Sequence, residues 1–158
     1  MDTGEQAMSI RHTLLVLAAF AAVMLIAPVA SAQGVEHFAV LNGGNEVSVS
    51  GEAAAGDPNG FGAATVVFAG SGRICYSIVV HRISTPTAAH IHDGEAGVNG
   101  PIVVPLEPPT AGNPGTIAAC SADLDKALIS RILKTPGDFY VNVHTGQFPG
   151  GAVRGQLQ

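Results

Sequence analysis

The chain has 158 residues, 47% of them hydrophobic and 12% charged, with a formal net charge of −5 and two cysteines. That length accommodates one core of ordinary size and leaves little room for a second. The acidic balance, with no basic run and no aromatic residues interleaved with cations, excludes a grip on a phosphate backbone, so nucleic acid is not an expected partner.

The chain opens on MDTGEQAMSIRHTLLVLAAFAAVMLIAPVASAQG. Arg11 and His12 precede an apolar run from Leu14 to Ile26, which leads through Pro28 into Ala30-Ser31-Ala32, the order of a secretory signal peptide. The run is about 13 residues, short of the ~20 that cross a bilayer as a helix. Residues 1–32 are therefore expected to be cleaved, leaving one domain over 33–158 that is secreted or held at the cell envelope, without a transmembrane segment. No cysteine lies at the cleavage site to carry a lipid anchor. Asp2 and Glu5 interrupt the basic start, which makes Met8 an alternative to Met1 as the first residue.

From Gln33 the grammar is that of strands and turns. In QGVEHFAVLNGGNEVSV, HFAVL reads as a strand, Asn42-Gly43-Gly44 as a turn, and the β-branched run after it as a second strand. SVSGEAAAGDPNGFG is a polar connection and GAATVVFA the next strand. After the tight turn AGSGR comes ICYSIVVHRI, with Cys75, Ser77, Val79 and His81 on one face and Tyr76, Ile78 and Val80 on the other. TAAHIH is a short strand, DGEAGVNGP breaks it, PIVVPL resumes, and EPPTAGNPGT is a Pro/Gly loop unsuited to a helix or central strand. In SADLDKALISRILKTPGD, Leu124, Ala127, Leu128 and Ile132 recur at helical spacing behind Ser121 or Asp123 as N-cap, and the helix ends before Pro136-Gly137. DFYVNVHT and GAVRGQL close the chain as two strands around GQFPGG. Many short strands, one short helix and no long-period repeat predict an all-β domain, an antiparallel immunoglobulin-like or Greek-key β-sandwich or barrel. Cys75 and Cys120 both follow the cleavage site, where an oxidising compartment favours a disulfide over two buried thiols or a thiolate metal site.

Strand alternation in TAAHIH sends Ala89 and Ile91 to the apolar side and His90 and His92 to the other, with Cα atoms about 6.5–7 Å apart. In DFYVNVHT it sends Val141 and Val143 inward and puts Tyr140, Asn142 and His144 together on the opposite face. If these strands are neighbours, His144 supplies a third imidazole. Three neutral imidazoles suit zinc or copper, with the fourth position left to water or to a carboxylate such as Asp93 or Glu95. The competing reading is a hydrogen-bond network in which these histidines, with Tyr140, Asn142, Arg154 and Gln156, anchor the DGEAGVNGP loop. His37 and His81 read as ordinary strand residues, and DGEAGVNGP lacks the alternating oxygen ligands of a calcium loop. No nucleophile elbow or phosphate-binding loop occurs, Asp123 and Asp125 are explained by the dipole of the helix they precede, and no residue is assigned a catalytic role.

AVLNGGNEV, AAHIHDGEAGVNGPIVVPL and FYVNVHTGQFPGGAVRGQL, in that order, closely resemble the CHRD family, named after chordin, over residues 37–158. The resemblance implies an all-β domain that occurs in exported bacterial proteins and is repeated in animal chordin. It maps the family's characteristic residues onto Glu46, His90, Ile91, His92, Gly94, Asn99, Gly100, Pro101, Tyr140, Asn142, His144, Pro149, Gly151, Arg154, Gly155 and Gln156. Two positions depart from the pattern: Ser48 follows Glu46-Val47 where prolines are usual, and Ala152 replaces an acidic residue. A looser likeness to copper-zinc superoxide dismutase, which also joins an H-x-H strand to a Gly-rich loop, lacks the bridging histidine, so dismutation is not expected. The expected function is a non-enzymatic binding or structural module whose partner is a protein or glycan at the cell surface. The alternative is a secreted copper- or zinc-binding protein with His90, His92 and His144 as ligands.

Overall fold

The computed structural model of the chain describes residues 34–70, 72–111, 115–121 and 123–158. The expected signal peptide lies outside them. Eight strands form one sheet: β1 (Val35–Asn42), β2 (Phe61–Phe68), β3 (Ile74–His81), β4 (Pro86–Asp93), β5 (Ile102–Leu106), β6 (Gly115–Ser121), β7 (Phe139–Thr145) and β8 (Val153–Gln156). Their order is β5-β4-β7-β8-β1-β2-β3-β6, every pairing is antiparallel, and the sheet curls into a nearly closed barrel.

Period-two alternation builds the interior. Leu41, Val66, Ile78, Ile91, Val141, Val143 and Val153 point into the barrel and are fully or almost fully buried, joined by Ile132 from helix α1 (Lys126–Lys134). Burying such aliphatic side chains stabilises by about 1.5–3 kcal/mol each. At the seam between the outer strands, the Glu107 N–H donates to the Tyr76 hydroxyl at 2.8 Å and so ties β3 to the end of β5. Cys75 and Cys120 stand directly opposite each other in the β3–β6 pair and form a disulfide.

Three local expectations are corrected. The run after Asn42-Gly43-Gly44 is not a strand: a 3-10 turn, Gly43–Asn45, is followed by a covering loop in which Val47 makes a single bridge to Ala53. Glu46, at 1% exposure, turns its side chain inward, which a strand laid on the solvent side of β1 would not do. Gly115-Thr116, expected to end the Pro/Gly loop, and Ser121, offered as a helix cap, are instead the two ends of β6; its alanines carry little β-propensity, and the pairing with β3 makes it a strand. The helix N-cap is Asp125, which accepts from the Ala127 and Leu128 N–H groups at 2.7 and 3.0 Å. Asp123, at φ +62°, lies too far upstream to do so.

The disulfide closes a loop of 45 residues in sequence separation, for which chain entropy gives a stabilisation of up to ~4 kcal/mol. The Cys75→Ala/Cys120→Ala variant is expected to unfold at correspondingly lower denaturant. An unchanged midpoint would show that the bond does not constrain the unfolded chain.

Candidate metal centre

β4 and β7 are hydrogen-bonded neighbours, and their register places His90 opposite Asn142, His92 opposite Tyr140 and His144 opposite Ala88. His144 therefore lies on the diagonal from His90, within reach of a side chain on the same face. Ring centroids are 5.0 Å apart for His90–His144, 5.6 Å for His90–His92 and 6.3 Å for His92–His144. One nitrogen from each ring lies within 4.8 Å of the others, so the group could hold a metal ion. Two nitrogens on one tetrahedral ion stand about 3.3–3.5 Å apart. His90 Nδ1 and His144 Nε2, at 3.1 Å, are within a few tenths of an ångström of that spacing, and a pair at 4.8 Å closes by about 1.3–1.5 Å through ring rotation.

The hydrogen bonds assign the tautomers. His92 Nδ1 lies 2.9 Å from the Gly100 carbonyl and His144 Nδ1 lies 3.0 Å from the Pro149 carbonyl. A carbonyl only accepts, so both Nδ1 atoms carry hydrogen and both Nε2 atoms present lone pairs in the neutral rings. In the metal-free protein His90 then donates from Nδ1 to His144 Nε2; to ligate through Nδ1 its ring would carry the hydrogen on Nε2 instead. A histidine that donates one N–H to a backbone carbonyl is held with its other nitrogen aimed at a metal. Commitment of a ring nitrogen to the backbone thus orients these rings. Burial, then the neighbouring His144 and His92, pushes His90 down to about 4. Burial also lowers His92, against the Gly100 carbonyl, which favours its charged form.

Around the triad, three loops cover the outer face of β4, β7 and β8. Arg154, 1% exposed, donates to the Glu95 and Val98 carbonyls at 2.9 Å and reaches Asn99 Oδ1 and Gln156 Oε1 at 3.4 and 3.3 Å. Its guanidinium lies 3.4 Å from the centroid of Tyr140, whose ring is stacked on His92 at 4.7 Å. Asn99 donates to the Val47 and Ser48 carbonyls, and the Gly100 N–H donates to the Tyr140 hydroxyl. Glu46 accepts from the Val47 N–H at 3.0 Å, and burial raises its carboxyl above the usual range.

Both side chains named as carboxylate ligands face elsewhere. Asp93 makes a two-pronged ion pair with Arg131 on α1 at 2.9 and 3.0 Å, and Glu95 meets the cluster through its backbone oxygen. Among the described residues the metal-capable group holds His90, His92 and His144 and no carboxylate. The sequence reading singled out Gly100, Pro149 and Gly151 by resemblance but assigned them no part: the first two offer carbonyls to His92 and His144, and the third packs against Glu46. At φ +145° a residue other than glycine at 151 is strained, and its Cβ would collide with the Glu46 carboxylate. The family resemblance marked Gly100, Pro149 and Gly151 as characteristic positions, but residue order alone does not say which ring each one meets.

Fold and site together define an all-β barrel domain with a loop-covered polar layer and three convergent imidazoles on its outer face. The chain belongs to the CHRD family: the CHRD domain model matches residues 37–157. No curated protein and no solved structure matches it significantly.

Arg154→Lys removes the planar fork and the ring stacking and is expected to cost about 2–3 kcal/mol, with faster amide exchange across residues 94–100. An unchanged exchange pattern would show that the loop holds without it. His90 and His92 titrate lower in the folded protein than in the unfolded chain, near 6.5. The unfolded state therefore takes up protons first. The metal-free protein is expected to keep its full stability above pH 6.5 and to lose it as the pH falls toward 4. Melting curves of wild type and His90→Ala across this window test the assignment, with a shallower dependence expected in the variant.

Proposed function

We propose that this CHRD domain is an exported, non-enzymatic binding module that holds one copper or zinc ion on His90, His92 and His144, residues 1–32 being the signal peptide and 33–158 the mature domain. The observation that carries this reading is the orientation of the rings. His92 and His144 are each fixed by an Nδ1–H bond to a loop carbonyl, and His92 Nε2 is buried without a partner. A purely structural network would satisfy that nitrogen. Three neutral nitrogen donors without thiolate or carboxylate suit borderline metals, and copper above zinc in intrinsic affinity. The disulfide fits an oxidising compartment outside the cytoplasm.

A second reading, binding of a protein or glycan at the cell surface, is favoured by a separate feature. Phe38, Val40 and Phe61 on the outer face of β1 and β2 are 51%, 59% and 44% exposed, away from the triad. The two readings use different strands of the barrel, β1 and β2 against β4 and β7, and are compatible.

Elemental analysis of protein purified without chelators, followed by copper and zinc titration, tests the first. One equivalent is expected in wild type and none retained in His92→Ala or His144→Ala, with nitrogen hyperfine structure in the copper(II) spectrum. Metal at a hundredfold excess over its dissociation constant should stabilise the fold by ~2.7 kcal/mol. Absence of uptake, or uptake unaffected by either substitution, would overturn the metal reading. Loss of stability in His90→Ala without metal effects would favour the network.

A further inference from the structure

Between the loop after β1 and the turn joining β7 to β8 lies an open cleft of about 530 Å³, walled by Val47, Val49, Phe148 and Pro149 and lined also by His92, Glu46 and Asn142. Among the described residues, four buried side-chain atoms have no hydrogen-bond partner. One, His37 Nε2, lies elsewhere; the other three, His92 Nε2, Glu46 Oε2 and Asn142 Oδ1, belong to residues of this one cleft. Buried polar groups are nearly always satisfied, so three orphaned acceptors in one place mark a site. Glu46 and Asn142 are 1% and 2% exposed. Gly151 keeps the approach to them clear, since a Cβ there would stand 2.6 Å from Asn142 Oδ1 and collide with the carboxylate. Asn142 is directly opposite His90 and is the neighbour of His144 on its face of β7.

We propose that the ion on the triad keeps one exchangeable position opening into this cleft, filled by a small ligand that coordinates through one atom and donates a hydrogen bond to Glu46 and Asn142, water being the simplest. The inference rests on the metal reading above. Three imidazoles leave a tetrahedral ion a fourth position. On the outer face of β4 and β7 the triad adjoins the loops that wall the cleft. His144 is anchored there by the Pro149 carbonyl, and His92 contributes to the lining. A carboxylate and an amide oxygen select a donor and oppose a bare anion. Burial raises the Glu46 carboxyl, while the Val47 N–H, Arg154 and the Asn142 side chain favour its ionised form. Were the Asn142 amide turned to face Glu46 with its NH₂, the two would satisfy each other, and neither would sense what binds the metal.

Azide titration of the cobalt(II)-loaded protein, read in the visible spectrum, separates these cases. Azide should shift the cobalt bands in wild type. Glu46→Gln, which replaces the carboxyl with an amide that cannot ionise, should bind azide about tenfold or more tightly at unchanged cobalt stoichiometry. Should that variant fail to fold, Asn142→Asp supplies the converse: an added negative charge weakens azide by about the same factor. A wild-type spectrum indifferent to azide, or equal azide affinity in wild type and variant, would overturn the open position or the part of Glu46 while leaving the metal site standing. Failure of cobalt to bind at all would overturn the metal reading itself.

Discussion

The outer layer of this barrel depends on the burial of one guanidinium. Arg154 is 1% exposed and touches no carboxylate within ion-pair distance among the described residues, so its charge is met by carbonyl oxygens and an aromatic face. Removing such a group from water is costly unless its donors are matched, and a rigid planar fork matches several oxygens at once. The Glu95 and Val98 carbonyls come from one loop, Gln156 from the same strand, and Tyr140 from the adjacent strand. With the arginine seated, the 94–100 loop has one position over the sheet. Asn99 in that loop in turn fixes the segment after β1 through the Val47 and Ser48 carbonyls.

The imidazoles inherit their geometry from this arrangement. His92 is pressed against the face of Tyr140 opposite Arg154, and its tautomer is set by Gly100 at the end of the loop that Arg154 holds. His144 takes its tautomer from Pro149 in a different loop, so the two ring orientations are set independently and meet at His90. The rigid part is the β4–β7 ladder, and the adjustable part is ring rotation over about 1.5 Å. Binding and network readings share these hydrogen bonds, because the bonds that orient a metal ligand are also the bonds that hold a loop. The disulfide lies across the barrel, in the β3–β6 pair, and acts on the fold rather than on the triad.

Much of the fold was legible because half-buried strands write their inside and outside into alternate residues. TAAHIH and DFYVNVHT placed the correct apolar residues inward and the three histidines on the other face, and ICYSIVVHRI was divided correctly between its two faces. Where the signal is pairing rather than pattern, the reading failed. GTIAACS alternates between half-buried and exposed small residues and became a strand only by lying against β3. EVSV has strand-like residues, yet the Glu46 side chain is buried in the polar layer and the chain leaves the sheet through a 3-10 turn. Asp93 looked like a ligand beside His92, but its strand position faces α1, where Arg131 takes it.

The sequence by itself determined the β character, the strand faces, the family and the set of polar residues concentrated on one side, since these follow from local residue order and period. Only the tertiary structure decided which strands are neighbours, and hence that His144 stands on the diagonal from His90. It also decided which nitrogen of each ring is spent on a loop carbonyl and that Glu46 reaches the same cleft from residues far away in the chain. The physical reason is that strand order and loop closure are set by the summed burial and hydrogen bonding of the whole barrel. No single segment carries that sum.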